Sequence, residues 1–492
     1  MSTNDRPTKT SYWLLLTLAA LAVRVVVAFW LLGGCTQSSD SSAYAKQAWE
    51  IVAGRWTYPN FWPIGRSIGL VPFFLAFGMS ETVMKANAVA FDVGCVLLAA
   101  ILAHQTLRNS VAARLAGWIA AFYPPMILLS GWSYADNVTM FFLLAFAILA
   151  VAACRDGKQG QNQNKNQNQR QYKNRWKSSA LWFASGCALA MAILTRPAVQ
   201  SVVALGAAGC FGFLLVRRFR PTFLSALGEA SWKSVGIAAL AFTPGVLCCT
   251  APVLWHNASR GSGWVLSTNN EMNCLLGNNP YTPHYKTWQL GEGRGNGSPE
   301  FNAYLSKFRN EHTPRSAMVY EAVRYILERP DIFLLRTANR IRAFWGFDYS
   351  VVGTIQGQWT ANGKTVLTPG GKLDIAALFA VNGGGYCLVM LLAIAGLFLF
   401  RKAGAMDGRY AAFLIAIVLA VQFPYALTHS NACYHTPLLG FLFPFAAVAI
   451  DEARLGKSGP WPTLLRNKWF WFAIVAFIFI QAEYAYWVAA YH

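Results

Sequence analysis

The chain has 492 residues, of which 55% are hydrophobic and 13% charged, against about 25% charged in soluble domains. Too few charges remain to coat a soluble globule of this size, so the composition excludes one and points to an integral membrane protein. The excess of 41 Lys and Arg over 21 Asp and Glu fits membrane proteins with basic cytoplasmic loops, and without any finger, RNA-binding or basic-helix signature no nucleic-acid partner is expected.

Residues 1–9 are polar, and the apolar run 12–32 is too long for a signal-peptide core, so it reads as a first transmembrane helix with no cleavable leader. Further spanning runs follow at 83–107, 111–130, 135–154, 178–195, 197–216, 234–255, 375–400, 410–428, 436–450 and 469–489. The expectation is an all-α polytopic protein of about eleven transmembrane helices, or twelve to thirteen if shorter runs such as 67–79 are counted. With a cytoplasmic N-terminus, Arg108 and Arg114, Arg155 to Lys177, Arg217 to Lys233, Arg401 to Arg409, and Arg454 to Lys468 all fall on the cytoplasmic side. The segments 34–82 and 256–374 then face outward. Arg24 and Asp92 stand inside spans at roughly matching depths, about 12 and 16 Å from the outer helix ends, and are expected to pair because an unpaired charge there is costly.

Three regions result. Residues 1–255 form an N-terminal transmembrane region, with a Gln/Asn/Lys-rich stretch at 157–177 that is expected to be a disordered cytoplasmic linker. Residues 256–374 form an extracytoplasmic loop region with helix starts at Ser298-Pro299-Glu300, Thr313-Pro314 and Arg329-Pro330-Asp331. In its last helix Ile332, Leu335, Ala338, Ile341 and Trp345 mark an apolar side and Arg336, Arg340 and Arg342 a polar one, a pattern for a helix lying in the membrane interface. Residues 375–492 form a C-terminal transmembrane region. The ten cysteines include no Cys-x-x-Cys pair, and no internal repeat is visible.

The first outer loop draws attention. Asp40 follows the first span by about eight residues, and Tyr44, Ala48, Ile51 and Val52 recur after it at helical spacing. A short helix against the bilayer follows from this, with Asp40 near its start, where a carboxylate suits the dipole. Trp56-Thr-Tyr58-Pro59-Asn-Phe61-Trp62-Pro63-Ile-Gly65-Arg66 comes next, rich in aromatic residues. An isolated loop aspartate is ordinarily just solvated, so the case rests on what surrounds it.

Taken in order, these residues resemble the type C glycosyltransferases, in particular the protein O-mannosyltransferase and lipid A aminoarabinose transferase group. The matches are Asp40, Tyr44, Ala48-Trp-Glu-Ile51-Val-Ala-Gly54 and Trp62-Pro63-Ile-Gly65-Arg66, then Asp136 in Ser133-Tyr-Ala-Asp136-Asn-Val-Thr. Leu194-Thr-Arg196-Pro197, Asn278-Asn279-Pro280 and Tyr434-His435-Thr-Pro437 complete the set. A single Pro63 stands where the family has a proline pair, and Cys433 where it often has a basic residue.

The resemblance implies an enzyme of the cell or plasma membrane that moves a hexose or pentose from a polyprenyl-phosphate donor to a hydroxyl or amine of a lipid, protein or glycan acceptor. The active site would be extracytoplasmic and the sugar carbon would be inverted. Such a donor needs no nucleotide-binding loop, and none is found. Asp40 is the candidate base for the acceptor proton. Asp136 would position the acceptor, or join Asp40 on a divalent cation, two carboxylates alone being a weak metal signal, with a helix N-terminal aspartate set on the dipole the competing role. Arg66, then Arg196 and Lys85, are candidates to meet the phosphate, with snorkelling to the interface the competing role. His435 would orient phosphate or acceptor, with a hydrogen-bonded histidine at a helix start the competing role, and Tyr44, Tyr58, Trp62 and Tyr434 would line the sugar site, although membrane aromatic belts supply similar residues with no site. The alternatives are a flippase or transporter of lipid-linked sugars, which calls for paired halves with broken spans, and a polysaccharide polymerase.

Overall fold

The structure is a computed structural model describing residues 10–37, 40–56, 61–159, 168–219, 232–285, 299–309, 316–361, 367–368, 371–372, 375–456 and 460–491. In chain order the helices are α1 (Thr10–Val25, continued by a π-helical turn Val26–Leu31), α2 (Asp40–Val52), α3 (Gly65–Phe77), α4 (Glu81–Thr106), α5 (Ser110–Phe122), α6 (Pro124–Leu129) and α7 (Ala135–Gln159). Next come α8 (Asn168–Thr195), α9 (Gln200–Phe219), α10 (Trp232–Ser259), α11 (Asn270–Gly277), α12 (Pro299–Arg309), α13 (Ser316–Glu328), α14 (Pro330–Phe344) and α15 (Ser350–Ala361). The remainder are α16 (Ile375–Leu399), α17 (Gly408–Leu427), a 3-10 segment (Ala432–Phe441), α18 (Phe443–Arg454), α19 (Trp461–Leu465) and α20 (Lys468–Tyr491). A two-residue hairpin pairs Leu367–Thr368 with Gly371–Lys372.

The protein is all-α and polytopic. Among the described residues eight helices are long and apolar enough to cross a membrane, drawn from α1, α4, α7, α8, α10, α16, α17 and α20. The other three expected runs are helical but shortened or broken. Run 111–130 divides between α5 and α6 because Pro124 opens the latter and Tyr123 before it is extended. Run 197–216 begins with a 3-10 turn Pro197–Val199, and run 436–450 bends by 60° between the 3-10 segment and α18. Run 67–79 is the 13-residue α3.

Small residues let the helices approach. Ala99, Ala100 and Ala103 of α4 and Ala112, Ala113, Ala116 and Ala120 of α5 are all buried, the packing expected where lipid removes the hydrophobic drive between helices. Between α1 and α4 the expected pair forms: Arg24 Nε donates to Asp92 Oδ2 at 2.6 Å with both side chains fully buried. Arg24 also donates to Ala121 O at 2.8 Å and Ala120 O at 3.2 Å, so one guanidinium joins α1, α4 and α5.

The basic connections gather at one end of the bundle. There Arg108 N donates to Ala405 O at 2.8 Å, Arg155 donates to the Tyr410 hydroxyl at 3.0 Å, and Asn109 reaches Asp451. The expected linker 157–177 is narrower than its composition suggests. The α7 helix runs to Gln159 and α8 starts at Asn168, since Gln, Lys and Arg extend existing helices well; residues 160–167 lie outside the described residues.

The amphipathic α14 corrects the expected orientation. Its helix starts at Pro330 as expected, but Arg336 and Arg340 are fully buried, whereas Leu334 and Ile341 are 67% and 42% exposed. The arginines face inward because they have carbonyls to satisfy. Arg336 donates to Asn279 O at 2.9 Å; Arg340 donates to Leu427 O at 3.0 Å and also to Gly277 O. These carbonyls belong to the C-terminal ends of α11 and α17, where unpaired backbone acceptors attract cations. A Cβ at Gly277 would collide with the Thr428 carbonyl, so the two helix ends meet backbone to backbone. The α12 start at Pro299 also agrees; Ser298 and Thr313-Pro314 lie outside the described residues.

Candidate active site

At the end of the bundle opposite the basic connections, a cavity of about 550 Å³ brings together residues from across the chain. One wall is the head of α2. Asp40 is its first residue and half-buried, Tyr44 lies one turn on, and Trp62 packs edge-on to Tyr44 with ring centres 6.1 Å apart. Asp40 thus sits where the helix dipole favours a carboxylate. Burial, with Asp40 beside it, pushes the Tyr44 phenol well up, so it is a neutral donor.

The facing wall is an ion pair. Asp136, the second residue of α7, accepts from Arg196 Nη2 at 2.5 Å. Arg196 is freed from helical geometry by Pro197, which excludes the residue before it from the α region; its φ and ψ are −140° and 103°. Its guanidinium lies 5.0 Å over the Tyr434 ring, and Tyr434 stacks on Tyr425 at 4.5 Å. A cation held on an aromatic face and a carboxylate is fixed in direction as well as in charge.

A third carboxylate, Asp348, completes the set. Its Oδ1 accepts from Ser350 N at 2.9 Å and Ser350 Oγ at 2.6 Å, an Asx turn that opens α15. Its carbonyl accepts from Asn382 Nδ2 at 2.5 Å, and the preceding Phe347 N donates to Gln481 Oε1 at 2.9 Å. Burial pushes the carboxyl up to about 6, outweighing the Ser350 bonds. The remaining wall is uncharged, with Asn269, Asn270 and Asn273 around the start of α11.

Asp40, Tyr44, Trp62, Asp136, Arg196 and Tyr434 are therefore brought together as the sequence suggests. Three other expected site residues are not on the cavity. Arg66 is fully buried as an internal bracket: Nε donates to Ser133 O at 3.0 Å, Nη1 to Asn87 Oδ1 at 2.6 Å and Nη2 to Ser133 Oγ. Lys85 donates to Leu32 O at 2.8 Å and Gly33 O at 3.3 Å, capping the end of the first span. His435 is buried, and its Nδ1 donates to Phe344 O at 2.6 Å, fastening the end of α14 to the 3-10 segment. Each of these polar groups is buried and so is consumed by local carbonyls and amides. Tyr58 lies outside the described residues.

Sequence reading misses Asp348 and the asparagine wall. The one local signal for Asp348 is the Asp-Tyr-Ser spacing before a helix, which announces a cap and not a cavity. The expected cation between Asp40 and Asp136 finds a poor donor set, because Arg196 already neutralises Asp136. Among the described residues no group of three His, Cys, Asp or Glu is arranged to hold a metal.

No protein-family model matches the chain, and no curated protein matches it. Among solved structures, it aligns with the oligosaccharyltransferase AglB from Archaeoglobus fulgidus in complex with an inhibitory peptide and a dolichol-phosphate. The TM-score is 0.47 and the identity 13%, over 96% of this chain and 55% of that one. It also aligns with ArnT from Cupriavidus metallidurans bound to undecaprenyl phosphate, at TM-score 0.35 and 11% identity over 92% of this chain and 79% of that one. The chain spans about half the length of the archaeal protein. At such scores the likeness carries no functional argument, and the site stands on its own geometry.

Proposed function

We propose that this chain is a membrane glycosyltransferase that moves a sugar from a polyprenyl-phosphate carrier to an acceptor hydroxyl or amine on the extracytoplasmic face of the cell membrane. The observation that carries the reading is the convergence of Asp40 with the Asp136–Arg196 pair in one cavity at the end of the bundle remote from its basic connections. In the proposed reaction Asp40 accepts the proton of the acceptor as its oxygen or nitrogen bonds to the anomeric carbon. The bond from that carbon to the phosphate oxygen breaks on the opposite face, its electron pair leaves on the phosphate, and the sugar carbon is inverted. Arg196 stabilises the departing phosphate, preorganised by Asp136 and Tyr434. Asp136 positions the acceptor, and Tyr44, Trp62 and Tyr434 supply faces and donors for a sugar ring. The sugar is a hexose or pentose, and the acceptor a lipid, protein or glycan.

The test is a radiolabelled polyprenyl-phosphate sugar added to membranes containing the chain or its Asp40→Asn form. Label transferred to an acceptor by the first and not the second supports the reading. Label that changes leaflet without changing its covalent partner would instead make the protein a transporter.

A further inference from the structure

One wall of the cavity carries polar groups that the protein itself does not use. Where the chain enters α11 the lining residues are Ser267, Asn269, Asn270 and Asn273, none of them charged. Asn431, between α17 and the 3-10 segment, lines the cavity as well. Among the described residues, the side-chain amides of Asn269, Asn270, Asn273 and Asn431 make no hydrogen bond.

Two of these amides are unusual for where they stand. Asn269 is the N-cap of α11, a position where an asparagine side chain ordinarily accepts a backbone N–H of the first turn, yet it makes no such bond. Asn431 Oδ1 is buried and has no donor, although buried amide oxygens are nearly always paired. Both groups are left over for something that the chain does not contain.

The wall is fixed in place. Ser267 is fully buried, and its Oγ donates to Phe61 O at 2.7 Å while accepting from Asn269 N at 3.2 Å. One hydroxyl thus ties the start of α11 to the aromatic loop beside Trp62, which packs on Tyr44. Asn270 and Asn273 are three residues apart on α11, so their Cβ atoms lie about 5–6 Å from each other on one face. The hydroxyls of one sugar ring bridge such a spacing. An amide donates and accepts at once, as a sugar hydroxyl does. It offers no counter-charge to an amine or a carboxylate, which would be desolvated there at a cost.

We propose that Asn270 and Asn273, flanked by Asn269 and Asn431, bind the hydroxyls of the donor's sugar, and that this sugar is neutral. This rests on the function proposed above and adds the class of sugar and the residues that select it.

The experiment measures binding to the full-length protein in nanodiscs of farnesyl phosphate diesters that differ only in the second ester group. The groups are glucose, galactose, mannose and arabinose, then the charged glucuronic acid and glucosamine, then methyl. Wild type should bind a neutral sugar diester about tenfold or more tighter than the methyl diester, as several new hydrogen bonds require, and neither charged sugar as tightly. Asn270→Ala and Asn273→Ala should each remove about fivefold of that advantage, the worth of one neutral hydrogen bond, and leave methyl diester binding unchanged. Neither amide holds the fold and alanine favours helix, so both variants should fold. Sugar and methyl diesters weakened equally, neither weakened, no neutral sugar bound tighter than methyl, or a charged sugar bound tightest would each overturn the assignment. So would alanine variants that lose binding of free methyl glycosides but keep that of the sugar diesters, since the wall would then serve a glycan acceptor. Wild type that binds none of the diesters, methyl included, would instead overturn the parent function, a distinct result.

Discussion

Arg24 and Asp92 meet at 2.6 Å with both side chains fully buried, so the first span is tied to α4 by an ion pair that lipid cannot replace. Removing one partner strands the other charge, which costs about 3–5 kcal/mol. Arg24→Ala and Asp92→Ala should therefore each lower thermal stability sharply. The double variant Arg24→Leu with Asp92→Leu should recover most of the loss. Unfolding midpoints in one detergent are the measurement, and losses that simply add would show that the two groups act independently.

For Asp40 the expected effect is on turnover. Asp40→Asn keeps the shape and the helix start but loses the proposed base, so transfer should fall by roughly 10²-fold or more while membrane insertion and donor binding survive. Asp40→Glu should retain partial activity if the longer carboxylate still reaches the acceptor. A well-inserted Asp40→Asn protein with near-normal rates would make Asp40 an ordinary loop residue.

Arg196 is held by geometry as much as by charge, through Asp136 Oδ1 and the Tyr434 face. Lys keeps the charge and loses the planar fork. Arg196→Lys should raise the donor KM about tenfold or more. Arg196→Lys kinetics equal to wild type would show that only the charge matters.

Arg66 separates structure from chemistry. Its bonds to Ser133 and Asn87 bracket α3, α4 and the residues before α7, and loss of such charged bonds costs about 1.5–3 kcal/mol each. Arg66→Lys should lower the unfolding midpoint and leave the donor KM of the surviving folded protein unchanged. A raised KM at unchanged stability would return Arg66 to the phosphate.

Asp348 also predicts a pH dependence of stability. Its folded pKa of about 6 lies above the unfolded value of about 3.9. Between these values the folded state binds more protons, so stability falls as pH rises from about 4 to about 6 and levels off beyond. The wild-type loss should reach at most about 3 kcal/mol, and Asp348→Asn should lack it. Unfolding midpoints of both proteins from pH 4 to pH 7 give the comparison; identical slopes would contradict the shift.

Much of this was legible in the sequence because bilayers impose simple patterns. Spans show as long apolar runs, and a buried Arg and Asp at matching depths must find each other. Asp40, Asp136 and Arg196 each stand at a span mouth or a proline break, where a charge can face a cavity. Arg66 and Lys85 stand in similar places yet point into the protein, because Ser133 O and Leu32 O needed donors. Which nearby cation a stray carbonyl captures depends on packing that residue spacing does not encode. Asp348 was illegible for a related reason: it reaches the cavity from the far end of the outer region, and its local pattern describes a turn.

The inverted α14 has one more consequence. Leu334, Leu335 and Ile341 turn outward, while Arg336 and Arg340 hold the end of α11 against the end of α17, whose Pro424, Tyr425 and Thr428 line the cavity. Apolar side chains turned outward in this way are satisfied by lipid, which would press α14 against the helix ends beside the cavity. Harsh solubilisation should then loosen these helix ends, and adding lipid back should tighten them again.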